Sequence, residues 1–214
     1  MDLARLADGF RSRFDLRMRA RERALTAARA AIRSCANAIR AAHRGEWDEA
    51  ERLMAEAKGS IDQGLDAVRD HPEIRFAGYL QDAQKEYAEA RITQALLTGA
   101  GEPPEASALG VEDAPYLNGM AEAIGEGRRF VLDLLRQGDV DRGESVLGAM
   151  EDLYGVLVSM DYPDAITGNL RRSTDVARSL IEKTRGDLSN AIVQRNLREA
   201  LERHARDVFG EGRG

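Results

Sequence analysis

The chain has 214 residues, 43% hydrophobic and 32% charged, with a net charge of −6; this balance fits one large folded helical domain and excludes a disordered chain. Aromatic residues make up only 5%, so the core must be built from small and aliphatic side chains, a mixture that favours packed helices. The single cysteine, Cys35, excludes an internal disulfide and a cysteine-rich zinc site.

No apolar run approaches the roughly 20 residues of a membrane span, and Met1-Asp2-Leu3-Ala4-Arg5 lacks the charged-then-apolar order of a signal peptide. The expectation is a cytoplasmic protein with no membrane partner. Its charge is uneven. The first 45 residues hold eleven arginines against four acids, a local balance of +7 that leaves −13 for the remainder. Such asymmetry marks either a locally basic binding face or an arginine-rich solvated helix.

Helical periodicity predicts seven segments in one domain over 1–208, with a disordered tail at 209–214. The first runs from about Leu3 to Arg44, with a break near Gly9. Its apolar residues, Ala24 to Ala42, recur at spacings of three and four. The second starts near Trp47 and stops at His71-Pro72, since proline disfavours helix in the residue before it. The third covers about Glu73–Leu97, and Gly99-Ala-Gly-Glu-Pro103-Pro104 is a loop. The fourth runs from Pro115 to Arg136, the fifth from Val140 to Met160, the sixth from Asn169 to Arg185 and the seventh from Leu188 to Val208. No segment alternates as a strand would. A glycine turn before an acidic helix start occurs at Gly45 and again at Gly138, but 93 residues apart. A solenoid repeating about every 34 residues is therefore excluded.

Two pairs of glutamates carry the chemistry. Glu86 and Glu89 are three apart on the third helix, and Glu122 and Glu126 are four apart on the fourth. Each spacing puts both carboxylates on one side of its helix. The Glu122/Glu126 side points away from the apolar stripe of Leu117, Met120, Ala121, Ile124, Val131 and Leu135. Taken alone, each pair reads first as a solvated or ion-paired helix face. Gathered together, four carboxylates need a counter-charge, and hard cations such as Mg²⁺ or Mn²⁺ supply one. A di-iron bundle would need Glu-x-x-His motifs, and none of His43, His71 and His204 lies three residues after a glutamate. His43 is expected to cap the end of the first helix.

These segments resemble the translin family. Glu86-Tyr-Ala-Glu89-Ala and Tyr116-Leu-Asn-Gly-Met-Ala-Glu122-Ala-Ile-Gly-Glu126 are similar to its catalytic branch, that of translin-associated factor X. Asp161-Tyr-Pro-Asp-Ala, Leu170-Arg-Arg, Asp175-Val-Ala-Arg-Ser and Thr184-Arg-Gly-Asp are similar to its single-chain archaeal and bacterial members. The resemblance covers about residues 10 to 205. It implies an all-α, seven-helix translin-like bundle, assembled into closed homo-oligomers, commonly octamers, that bind single-stranded RNA or DNA inside the shell. It further implies a Mg²⁺-dependent endoribonuclease, with Mn²⁺ as an alternative metal and no small-molecule cofactor. By position, Glu89 and Glu126 ligate the metal, while Glu86 and Glu122 complete the acidic cluster and position or deprotonate water. Translin itself lacks the first pair and has an amide at the position of Glu122, and a member of that kind is a non-catalytic nucleic-acid-binding oligomer. This chain keeps all four acids, with Glu122 where the eukaryotic factor has Asp. Arg17, Arg19, Arg21 and Arg23, with Arg128, Arg129, Arg171 and Arg172, are the candidate phosphate contacts. For each of them, pairing with surface glutamates is the competing role.

Overall fold

The computed structural model describes residues 3–99 and 101–210, and it is helical with no strand among them. In chain order the helices are α1 (Leu3–His43), α2 (Trp47–Ala67), α3 (Pro72–Arg75), α4 (Tyr79–Thr98), α5 (Ala106–Leu109), α6 (Asp113–Gln137), α7 (Val140–Val158), α8 (Asp164–Thr167) and α9 (Leu170–Gly210). The all-α expectation holds, with six long helices and three single turns among the described residues. No described helix is long and apolar enough to cross a membrane. Of the expected tail, 209–210 are the end of α9, and 211–214 lie outside the described residues.

Three boundaries differ from the sequence reading. Gly9 does not interrupt α1, which is continuous for 41 residues. The expected third helix divides into α3 and α4 at Gly78, whose φ of 97° lies in the left-handed region that glycine alone enters readily. The Gln81 side chain accepts from the Gly78 N–H at 3.2 Å and caps the new start. The expected sixth and seventh helices are one, α9. A glycine inside a helix costs only about 1 kcal/mol relative to alanine. Here Ala177, Ile181, Thr184 and Leu188, all buried, carry one stripe straight across Gly186. Packing therefore overrides the local signal.

The bundle has two halves. In the first, α1 lies along α2 and α4; in the second, α6 lies against α7 and α9, and α7 against α9. Helices α4 and α6 join the halves. Small residues permit each approach. Ala24, Ala28, Ala31, Cys35, Ala38 and Ala42, all buried, line α1. Gly119, Ala123 and Gly127 recur every four residues on α6. A Cβ built on Gly119 would stand 2.5 Å from the Lys85 carbonyl oxygen and 2.9 Å from the Glu89 amide nitrogen. Glycine is required there for proximity, since the residue is helical.

Polar ties fix the N-terminal end of α6. Gln84, buried on α4, accepts from the Glu112 N–H at 3.0 Å just ahead of the α6 start. Asn118 donates to the carbonyls of Ala114 at 2.9 Å and Thr167 at 2.8 Å, and accepts from Ser173 Oγ at 2.9 Å. It thereby links α6 to α8 and α9. Both 41-residue helices extend beyond the core: the buried positions of α1 begin at Ala20, and those of α9 end at Leu188.

Two glycine substitutions should have opposite signs. Gly148 on α7 is exposed, with nothing within 4 Å of an added Cβ, so Gly148→Ala is expected to stabilise by up to about 1 kcal/mol through helix propensity. Gly119→Ala forces α4 and α6 apart and is expected to destabilise by roughly 1–3 kcal/mol or more. Urea unfolding of both variants measures the difference, and a stabilised Gly119→Ala protein would contradict the close approach.

Candidate acidic metal centre at the junction of the two halves

The close approach at Gly119 brings the two glutamate pairs face to face. Glu86 and Glu89 project from α4 toward Glu122 on α6, and one carboxylate oxygen from each of the three lies within 4.8 Å of the others. The face of α6 that bears Glu122 and Glu126, expected to point away from that helix's apolar stripe, is thus turned toward α4, with Glu122 still open to solvent. The cluster grades from buried to open. Glu89 is only 9% exposed, whereas the Glu122 side chain is 40% exposed.

Glu126 stands beside this trio and is engaged from α1. His43 Nε2 lies 2.5 Å from Glu126 Oε2, with the imidazole almost fully buried. His43 does occupy the end of α1, as expected of a cap. Its ring instead reaches across to α6, and its Nδ1 is buried without a hydrogen-bond partner among the described residues. The His43 hydrogen bond, working against burial, holds the Glu126 carboxyl below its ordinary range. An ionised carboxylate only accepts, so Nε2 carries the proton. Glu126 Oε1 is left as a second donor of lone pairs.

Glu89 is displaced the other way. Burial first, then the charges of Glu86, Glu122 and Glu126, push its carboxyl up to about 8. Burial also raises Glu86. The same surroundings, burial followed by Glu86 and Glu89, push the Cys35 thiol up to about 12, which leaves it an inert core residue. Lys85 supplies the local positive charge: its Nζ is 2.6 Å from Glu122 Oε1 and 3.6 Å from Glu86 Oε1.

The donor set fits a hard divalent cation. Three carboxylates converge, none is replaced by a soft ligand, and the most buried of them is one that proximity to its neighbours disfavours as an anion. Glu86, Glu89 and Glu122 form the group that could hold an ion, with Glu126 as its neighbour.

The basic candidates are less uniform. Arg17 pairs with Glu73 at 2.7 Å and Arg21 with Glu22 at 2.7 Å. Arg128 is tied to Asp187 at 2.9 Å and Thr184 at 3.1 Å, which makes it a brace between α6 and α9. Arg129 lies 3.7 Å from Glu126. Arg19, Arg23, Arg171 and Arg172 are exposed and make no ion pair among the described residues. Lys85 and His43 were not singled out as site residues in the sequence. Lys85 adjoins Glu86 there, but its reach to Glu122 is a contact between helices that no spacing encodes.

No family model matches the sequence. An uncharacterised protein of Methanocaldococcus jannaschii is 34% identical over 185 residues, 86% of this chain and 81% of that protein. Among solved structures, AfC3PO and its complex with duplex RNA each superpose with a TM-score of 0.79 at 33% identity, covering 88% of this chain and 97–98% of theirs. Apo-NeC3PO gives a TM-score of 0.77 at 17% identity over 86% of this chain and 96% of that one, a likeness of fold alone.

The raised Glu89 carboxyl gives the metal-free protein a characteristic pH dependence. Unfolded, this group loses its proton near its ordinary value of 4.5; folded, it keeps it to about 8. Between these values the folded state holds the extra proton. The stabilisation is therefore full below about 4.5 and lost as pH rises through about 8, at no more than about 1.4 kcal/mol per pH unit. In chelator, Glu89→Gln is expected to melt higher than the parent at pH 8, with the gap closing at pH 5. Parallel melting curves across that range would remove Glu89 as the proton-binding group.

Proposed function

Since this chain belongs to the translin family, we propose that it is a Mg²⁺-dependent endoribonuclease acting on single-stranded RNA within a closed homo-oligomer. The observation that carries this reading is the convergence of Glu86, Glu89 and Glu122 on one another, with Glu126 alongside. RNA as the ligand is supported by AfC3PO, one-third identical to this chain and solved in complex with duplex RNA.

In this reading Glu89 and Glu126, at the edge of the group that Glu89 forms with Glu86 and Glu122, would hold Mg²⁺ or Mn²⁺, and the ion would supply polarisation of a phosphoryl oxygen and a lowered pKa for water. Glu86 and Glu122, on facing helices, orient the attacking water and accept its proton. The water oxygen bonds to phosphorus while the P–O3′ bond breaks. A 5′-phosphate and a 3′-oxyanion result, and the oxyanion takes a proton from solvent. His43 fixes Glu126 through Oε2, which leaves Oε1 for the metal. Arg19 and Arg23, exposed on α1 without acidic partners among the described residues, are the strongest candidates for phosphate contact.

A second reading, an RNA- or DNA-binding oligomer without turnover, is favoured by one specific observation. Lys85 and His43 already satisfy Glu122 and Glu126 without a metal.

Incubation with single-stranded and duplex RNA in Mg²⁺ separates the two. The parent protein is expected to cleave single-stranded RNA, and Glu89→Ala to lose on the order of 100-fold or more of that rate. Equal cleavage by both proteins would remove the assigned site. Binding without cleavage by either would establish the second reading. Arg19→Ala with Arg23→Ala is expected to weaken RNA binding and flatten its salt dependence while metal binding is retained; an unchanged salt slope would take these arginines out of the interface.

A further inference from the structure

Lys85 has a place in the site that neither metal coordination nor phosphate binding explains. Its ammonium lies 2.6 Å from Glu122 and 3.6 Å from Glu86, two of the three carboxylates that face one another within 4.8 Å. It comes from α4 itself, one residue before Glu86, at the level where α4 and α6 touch. Its carbonyl is the atom nearest a Cβ on Gly119. The backbone at this residue is therefore fixed by the helix contact, and the side chain has a short path into the cluster.

A Mg²⁺ ion takes carboxylate oxygens at about 2.0–2.1 Å. An ammonium hydrogen-bonded to Glu122 occupies one of those oxygens. It also puts a positive charge within a few ångströms of any cation bridging the trio, where repulsion is strong and poorly screened. The two cations therefore compete within one acid cluster: the ammonium occupies Glu86 and Glu122, whose charge would otherwise draw the metal in, and repels an ion held on Glu89. The lysine can yield, because its stem is long and flexible and its side chain remains 24% exposed, with an outlet to water.

We propose that Lys85 is a resident counter-ion of the acid cluster, which competes with the divalent cation and sets the metal concentration at which the site loads. This rests on the metal-binding reading of the same site. Without metal, the lysine neutralises part of the charge that would otherwise drive α4 and α6 apart. With metal, it withdraws toward solvent. The device differs from an ordinary surface ion pair in one respect: its removal should improve binding at the site while weakening the unloaded protein.

The test uses Mn²⁺ alone, titrated into the full-length protein and followed by electron paramagnetic resonance, with the parent, Lys85→Gln, Lys85→Arg and Glu89→Ala compared. Loss of the charge in Lys85→Gln is expected to tighten Mn²⁺ binding by about tenfold, with Lys85→Arg staying near the parent and Glu89→Ala losing binding. In thermal melts, metal-free Lys85→Gln is expected to fall below the parent and to gain more from saturating Mn²⁺. Lys85→Met, which keeps the apolar stem, carries the same expectations should the glutamine variant fail to fold. If the parent binds Mn²⁺ and Glu89→Ala does not, yet Lys85→Gln binds no tighter than the parent, the counter-ion role is overturned and the metal site stands. If the parent binds no Mn²⁺, both are overturned.

Discussion

Helices α4 and α6 meet backbone to backbone at Gly119, where even one added carbon would overlap the Lys85 carbonyl. Helices joined through larger side chains lie 8–10 Å apart, and carboxylates on facing turns would then have room to separate into solvent. Here they cannot. The glycine sets the separation, the separation sets the distance between Glu86, Glu89 and Glu122, and that distance sets their electrostatics. The two halves of the bundle are joined at this contact, so the site sits at the junction of the fold.

Charge concentrated in this way must be balanced. Like carboxylates within 5 Å resist joint ionisation, and the chain answers in three ways. Glu89, the most buried, holds its proton far above the usual carboxylate range. Glu126 is relieved by His43 from the end of α1, and Glu122 by Lys85 from α4. Two of the answers lie on α4 and the third comes from α1. Removing one neutralising partner from a buried pair leaves an uncompensated charge, which costs more than the pair contributes. The junction is thus held together by packing and strained by charge, an arrangement that the proposed divalent cation would relieve.

Much of this was legible in the sequence. The spacings of Glu86/Glu89 and Glu122/Glu126 place each pair on one helix face, and the resemblance of the surrounding segments joined them into one site. Several boundaries were not legible. Gly186 reads as a break, yet Ile181, Thr184 and Leu188 are buried in one stripe around it. Gly78 reads as an ordinary helical position, yet its positive φ divides α3 from α4. Glycine permits either outcome, and burial on the neighbouring helix decides between them. The arginines divide in a similar way: Arg128 braces α9 through Asp187, whereas Arg19 and Arg23 remain exposed on the part of α1 near the start of its buried stripe.

The sequence by itself determined that this chain is helical, where its long loop falls, and which side chains share a face of their own helix. Those are properties of period and composition, fixed within each segment. The tertiary structure alone decided which face meets which. It turned the Glu122 face of α6 toward α4, brought His43 to Glu126 across 83 positions of chain, and placed Lys85 between acids of two helices. Periodicity fixes a side chain's angle about its own axis. The rotation and spacing of one axis against another come only from packing, and at this site they come from the missing side chain of Gly119.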